Sequence, residues 1–259
     1  MKLYVLVCGL FIALLNPAHA TPAEMIEVSE TLLGINDTHL FVLRRIDNNL
    51  SYHVPTQTDV MLIARNRTNN TDDQVWPVMR MVEYGASYKE NHMEERVEIL
   101  PLPDRVNPFD ILLWRKAIPF MGAENMQVHS PYFYVSSATT QFSHADRMLT
   151  IKTNTRESIW TSRISDQKAA ELIENSLKHT RATIAAYVPP HYLSDDADGL
   201  RGIKINADAD CQIIDTHLLY EVIDAQDHFF QIAQLRCGYE SDVHPVSMFL
   251  IFQPDKEAP

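Results

Sequence analysis

The sequence predicts a mainly β fold of the α+β kind: antiparallel sheets, one long helix packed on them over residues 166–187, and one short helix near 108–117. Three observations predict it. Short apolar, β-branched runs recur along the chain, separated by turns rich in Asn and Asp. A single long segment, beginning at Asp166, repeats apolar residues at three- and four-residue steps. Asn107-Pro108 carries a helix-start signal, and Pro119 follows closely enough to end what it starts.

The chain opens on a leader. Met1-Lys2 is short and positive, Leu3–Leu15 is an uncharged run of 13 residues, and Ala18-His19-Ala20 offers the small residues that a signal peptidase reads. A spanning helix needs about 20 apolar residues, so residues 1–20 read as a cleavable signal peptide of bacterial style. The mature chain then begins at Thr21. Cys8 lies inside the apolar run, so no lipid-modified N-terminal Cys is expected. The expected location is the periplasm or the medium beyond it. No later run reaches spanning length, so no membrane span is expected.

Residues 21–259 read as a single mainly β domain, with a possible sub-boundary at 188–200. Thr31–Ile35, His39–Ile46, Val60–Ala64 and Val75–Tyr84 read as four strands of an antiparallel meander. The composition of Asn69–Asp73 makes it a loop. Ala86–Arg96 is polar and expected to be exposed. In the short helix, Asn107 is the expected N-cap, Pro108 takes N1, and Asp110 sits near the positive end of the dipole. Tyr132–Ser136, Arg147–Thr153 and Ser158–Ile164 return to strand character.

The long helix runs from Asp166 to Tyr187, capped by Ser165 and stopped by Pro189-Pro190. Ala169, Leu172, Ile173, Leu177, Thr180, Ile184 and Tyr187 form its packing face. Glu171, Glu174, Lys178 and Arg181 lie opposite, with Glu174 and Lys178 spaced for an ion pair. Beyond the polar run Ser194–Gly199, four more strands follow: Gly202–Asn206, Cys211–Val222, Phe229–Cys237 and Val246–Phe252. Residues 224–227 form a hairpin turn between the second and third.

The mature chain keeps two cysteines, Cys211 and Cys237, which read as a disulfide in an oxidising compartment. Closing that loop stabilises the fold by ~3.5 kcal/mol on the chain-entropy account. Without a CxxC motif, thiol-redox catalysis is not expected.

The net charge is −12, or −13 once Lys2 leaves with the leader. Dispersed negative charge is repelled by phosphate backbones and anionic membrane surfaces, so no nucleic-acid partner is expected. The chain contains no GxSxG, HExxH, GxGxxG or Gly-rich phosphate loop, and no cofactor is predicted.

Two places offer candidate metal ligands. Ser194, Asp196, Asp198 and Gly199 fit positions 1, 3, 5 and 6 of a calcium loop, but Ile205 falls where a bidentate Glu is required. Asp215 and His217 are two apart on a predicted strand and share a face. Zinc or iron needs at least three protein ligands, and Asp208, Asp210 or His228 are the nearby candidates for a third.

Two lesser features complete the reading. The mature chain's 10 histidines are spread without an HxH or HxxxH pair. Asp59–Leu62 and Asp146–Leu149 echo each other, with Trp76 and Trp160 following, as a duplicated β module would.

The functional expectation is a non-enzymatic envelope protein that binds another protein or an envelope component through strand edges or loops. The first alternative is a periplasmic hydrolase or metal-dependent enzyme built on the C-terminal Asp and His residues. The second is a small-ligand carrier, for which the aromatic run Tyr132-Phe133-Tyr134 is the hint.

Overall fold

The computed structural model describes residues 25–49, 56–84, 96–102, 104–120, 132–134, 139–156, 158–187, 210–223, 226–238 and 246–257. The leader, the 188–200 boundary with its acidic loop, Asp208 and the predicted strand Gly202–Asn206 lie outside them.

The fold is mainly β. Strands β1 (Met25–Ile35), β2 (His39–Asn49), β3 (Thr56–Asn66), β4 (Asp72–Tyr84) and β5 (Arg96–Leu100) form one antiparallel meander. Strands β11 (Cys211–Ile223), β12 (Gln226–Cys237) and β13 (Val246–Phe252) form a second. They join where β1 and β13 run parallel, in register at Val28 and Val246. With the short edge strand β7 (Tyr132–Tyr134) on β11, the order is β5-β4-β3-β2-β1-β13-β12-β11-β7. A second sheet has the order β14-β10-β9-β8: β8 (Thr139–Ala145), β9 (Met148–Asn154), β10 (Ile159–Ser165) and β14 (Asp255–Glu257).

Helix α2 (Asp166–Tyr187) lies against the inner face of the large sheet. Ser165 caps it, its hydroxyl accepting from the Lys168 amide at 3.2 Å. Ala169, Ile173 and Leu177 enter one apolar core with Ile26, Val42 and Ile63 of the first meander, Leu235 of the second, and Leu149 and Ile151 of the small sheet. This is the predicted helix across a sheet. On its outer side, however, Glu174 takes Arg181 at 2.9 Å as its partner and not Lys178.

Cys211 and Cys237 sit directly opposite each other on β11 and β12 and are disulfide-bonded. The bridge therefore staples two neighbouring strands, as their positions predicted.

Several boundaries differ from expectation, each for a local reason. The loop at 69–73 ends early, because Asp72 already pairs with Arg65 across the ladder. Arg96–Leu100 is a strand although an acidic stretch precedes it. Thr139–Ala145 was not predicted; it forms a hairpin with β9 through a turn in which Asp146 and Arg147 both take positive φ. The β11–β12 ladder continues to Ile223 and Gln226, so the connection is tighter than 224–227.

The short helix α1 (Pro108–Trp114) stops before Ala117. Lys116 turns left-handed at φ 52°, and the chain then lays β6 (Ile118–Pro119) along β1. Its start is as predicted: the Asn107 side chain accepts from the Phe109 amide at 3.1 Å. The sequence echo falls on unlike places. Asp59 lies within β3, near Arg80 at 3.4 Å, whereas Asp146 forms a turn.

Candidate functional sites

Three parts of the molecule carry unusual chemistry. The first is a buried ionic cluster between the sheet and α2. Strand alternation sets Ile26, Val28 and Glu30 on one face of β1, Val42, Arg44 and Ile46 on β2, and Met61, Ile63 and Arg65 on β3. The charged residues thus occupy inward positions and have no exposed side-chain surface. Arg44 donates to Glu30 at 2.6 Å, Asp72 at 3.0 Å and Ser176 Oγ at 2.5 Å, and it also bonds Thr180. Arg65 reaches Asp72 at 2.8 Å and both oxygens of Glu30 at 2.8 and 2.9 Å. Two cations and two anions balance, so the cluster carries no surplus charge for a ligand.

Its electrostatics follow from burial. Desolvation works against ionised Asp72, but Arg65 and Arg44 overcome it and hold the carboxyl at about 2. Desolvation likewise opposes the Arg65 charge, and Asp72 and Glu30 more than offset it. Both groups stay ionised at neutral pH, so neither is poised for proton transfer.

The cluster also completes a sheet. Beyond Val246, β13 is not in register with β1, and side chains satisfy its backbone instead. Glu30 accepts from the Phe249 amide at 2.8 Å, and Arg65 donates to the Phe249 carbonyl. Asn70 serves both polar groups of Ile251, each at 2.8 Å. Arg67 extends the seam, reaching Glu221 at 2.9 Å and lying 4.3 Å over the Phe230 ring. The cluster is therefore the joint between the two meanders.

The second part is the set of histidine–carboxylate pairs. Asp215 and His217 meet as the sequence predicted, at 3.1 Å, on a partly exposed stretch of β11 just after a bulge. Asp210 and His228 do not join them: among the described residues, no three His, Cys, Asp or Glu side chains are grouped to hold a metal. His144 meets Asp166 at 2.9 Å. His39 Nε2 meets Asp73 at 3.0 Å while its Nδ1 lies 2.7 Å from Thr38 Oγ1. That last order, hydroxyl to imidazole to carboxylate, is the one nucleophilic catalysis uses. Here it closes a turn: Thr38 is exposed, and Asn36 Oδ1 accepts from the amides of Thr38 and His39 at 3.0 and 2.7 Å.

The third part is the outer face of the first meander. Register places Leu43, Val60, Met79, Met81, Val97 and Ile99 on it together with Arg45, Asp47, Thr58 and Glu83, and α1 packs at its far end through Leu112. Gly34 positions α1: a Cβ there would sit 2.7 Å from the Ile118 carbonyl oxygen, so only glycine lets β6 lie this close. The Asn36 side chain then holds the Arg115 carbonyl at 3.0 Å, and the Arg115 guanidinium stacks 4.4 Å over Trp114. The face remains open. Val97 and Ile99 are 58% and 60% exposed, and Phe109, Leu113 and Trp114 are 68%, 80% and 67% exposed. Nothing in the sequence reading singled these residues out. The alternation in Arg96–Leu100 and a seven-residue helix with five large apolar residues were the available signals.

A polar cleft of about 260 Å³, lined by Thr161, Ser162, Phe252 and Asp255, lies beside the small sheet. It is small and polar for a ligand carrier, whose sites are mostly apolar and run from about 300 Å³ upward. Tyr132–Tyr134 forms the edge strand β7. Among the described residues, no helix is long and apolar enough to cross a membrane. No protein-family model, curated protein or solved structure matches the chain.

Proposed function

We propose that this is an exported bacterial envelope protein that works by binding another protein rather than by catalysis. The observation that carries the reading is the set of exposed apolar side chains on the outer face of the first meander and on its short helix α1. Exposed large apolar side chains grouped on one face cost solubility, and such patches mark interaction sites. Phe109, Leu113 and Trp114 give the large apolar and aromatic anchors typical of binding hot spots, on a helix fixed by Asn107 and Gly34. The occupant is a protein segment apolar at its contact and basic around it, which complements a mature chain of net charge −13. The leader and the Cys211–Cys237 bridge support an oxidising, extracytoplasmic setting. A hydrolase or metal enzyme built on Asp215 and His217 has that pair in its favour and lacks a third ligand among the described residues.

Site-specific photo-crosslinking in exporting cells tests the reading. A photoreactive side chain at Leu113 is expected to give one discrete adduct, absent when Met81 is changed to Lys. The same probe at exposed Lys178 is expected to give none. No adduct at Leu113, or the same adducts from both positions, contradicts the proposal.

A further inference from the structure

We infer that the polar cleft beside the small sheet binds a small zwitterion, an α-amino acid. The cleft opens where the chain leaves β13 at Phe252 and joins β10 at Asp255. Register fixes which side chains share it. Asp255 lies directly opposite Thr161, and Arg163 follows Thr161 by two residues, so the three lie on one face of the small sheet. All three line the cleft. Arg163 and Asp255 are diagonal neighbours across the ladder, and such neighbours stand about 7–8 Å apart. A cation and an anion at that spacing leave room between them for the carboxylate and the ammonium of one α-amino acid.

The surrounding charge orients that ligand. Lys152, opposite Thr161 on β9, adds positive charge on the side away from Asp255. Lys256 turns to the other face and lies 5.6 Å over the Trp160 ring. A carboxylate is therefore drawn to Arg163 and an ammonium to Asp255. Between them Thr161 is 4% exposed, and its hydroxyl oxygen is buried without a hydrogen-bond partner. The Ser162 hydroxyl, at the rim of the same cleft, is buried and unpartnered too. Buried polar groups are ordinarily paired, so two such exceptions at one cleft point to a polar ligand. Rotation about χ1 brings the Thr161 hydroxyl to a ligand oxygen or nitrogen, which it can serve as donor or acceptor. At about 260 Å³ the cleft takes a molecule several times the volume of a water and smaller than a carrier's usual cargo. This site uses no residue of the first meander, so it stands or falls apart from the partner-binding reading.

Isothermal titration of the mature protein with glycine, L-serine and L-glutamine tests the inference. Saturable binding at one site, with a Kd of about 0.1–1 mM for the best of the three, is expected. The N-acetyl form of that amino acid lacks the ammonium and its methyl ester lacks the carboxylate. Each is expected to bind at least about tenfold more weakly. Arg163→Gln and Asp255→Asn change exposed side chains. Each is expected to weaken binding at least about tenfold and to leave the ligand-free melting temperature unchanged. No saturable binding of any of the three, binding that survives both variants, or blocked forms that bind as well as the free amino acid overturns the inference.

Discussion

Single residues decide how the two meanders are joined. Arg44 and Arg65 fill inward positions where strand alternation calls for apolar side chains, and each is neutralised by Glu30 and Asp72. A buried ion pair adds little net stability over an apolar core, but removing one member strands the other's charge. Arg65→Ala is therefore expected to destabilise the fold by about 3–5 kcal/mol, read from urea unfolding. The pH dependence has a definite sign. Asp72 is held at about 2 in the folded protein, below its unfolded value, so its contribution is complete above about pH 4. That contribution is lost as pH falls toward 2. A titration of melting temperature should drop over that window. Asp72→Asn should start lower and lose this component of the slope. This cluster was not legible in the sequence, because an Arg or Glu on a strand ordinarily signals the solvent face. The readable sign was continuity: Ile26-x-Val28-x-Glu30 and Met61-x-Ile63-x-Arg65 extend apolar alternations without breaking phase.

At the level of elements, hydrophobic period and capping chemistry were enough to place most of the structure. The helix from Asp166 to Tyr187 has the predicted bounds, because Ser165 caps it and its apolar face meets a sheet of matching pattern. Cys211 and Cys237 were legible as a pair because the mature chain holds just these two cysteines, and one hairpin sets their strands side by side. What escaped were short elements whose stability is tertiary. Two-residue β6 exists because β1 offers a ladder at Gly34 and Ile35, and Thr139–Ala145 because β9 folds back on it. Gly34 also connects an element to function. Gly34→Ala should push β6 away and loosen α1 while leaving the ionic cluster in place. Faster hydrogen exchange confined to residues 108–120, with little change in the global unfolding midpoint, is the expected result.

Over the whole molecule, the two faces of the large sheet do different work. The inner face holds α2, the small sheet and the buried charges. The outer face of the first meander mixes a polar strip, in which Asp47 takes Arg45 and Thr58, with exposed apolar side chains. Of the candidate metal residues, Asp215 and His217 pair with each other on β11. Function was less legible than fold because it rests on exposure. The sequence assigned Phe109, Leu113 and Trp114 to a short helix and no face of it, and only the packing of α1 through Leu112 reveals that they are exposed. The measurement that tests the central claim most directly is backbone hydrogen exchange of the mature protein, alone and with solubilised envelope extract. Slowed exchange at 97–100 and 108–114, with β11 unchanged, is the predicted result. Protection confined to 211–217, or none anywhere, would contradict the account.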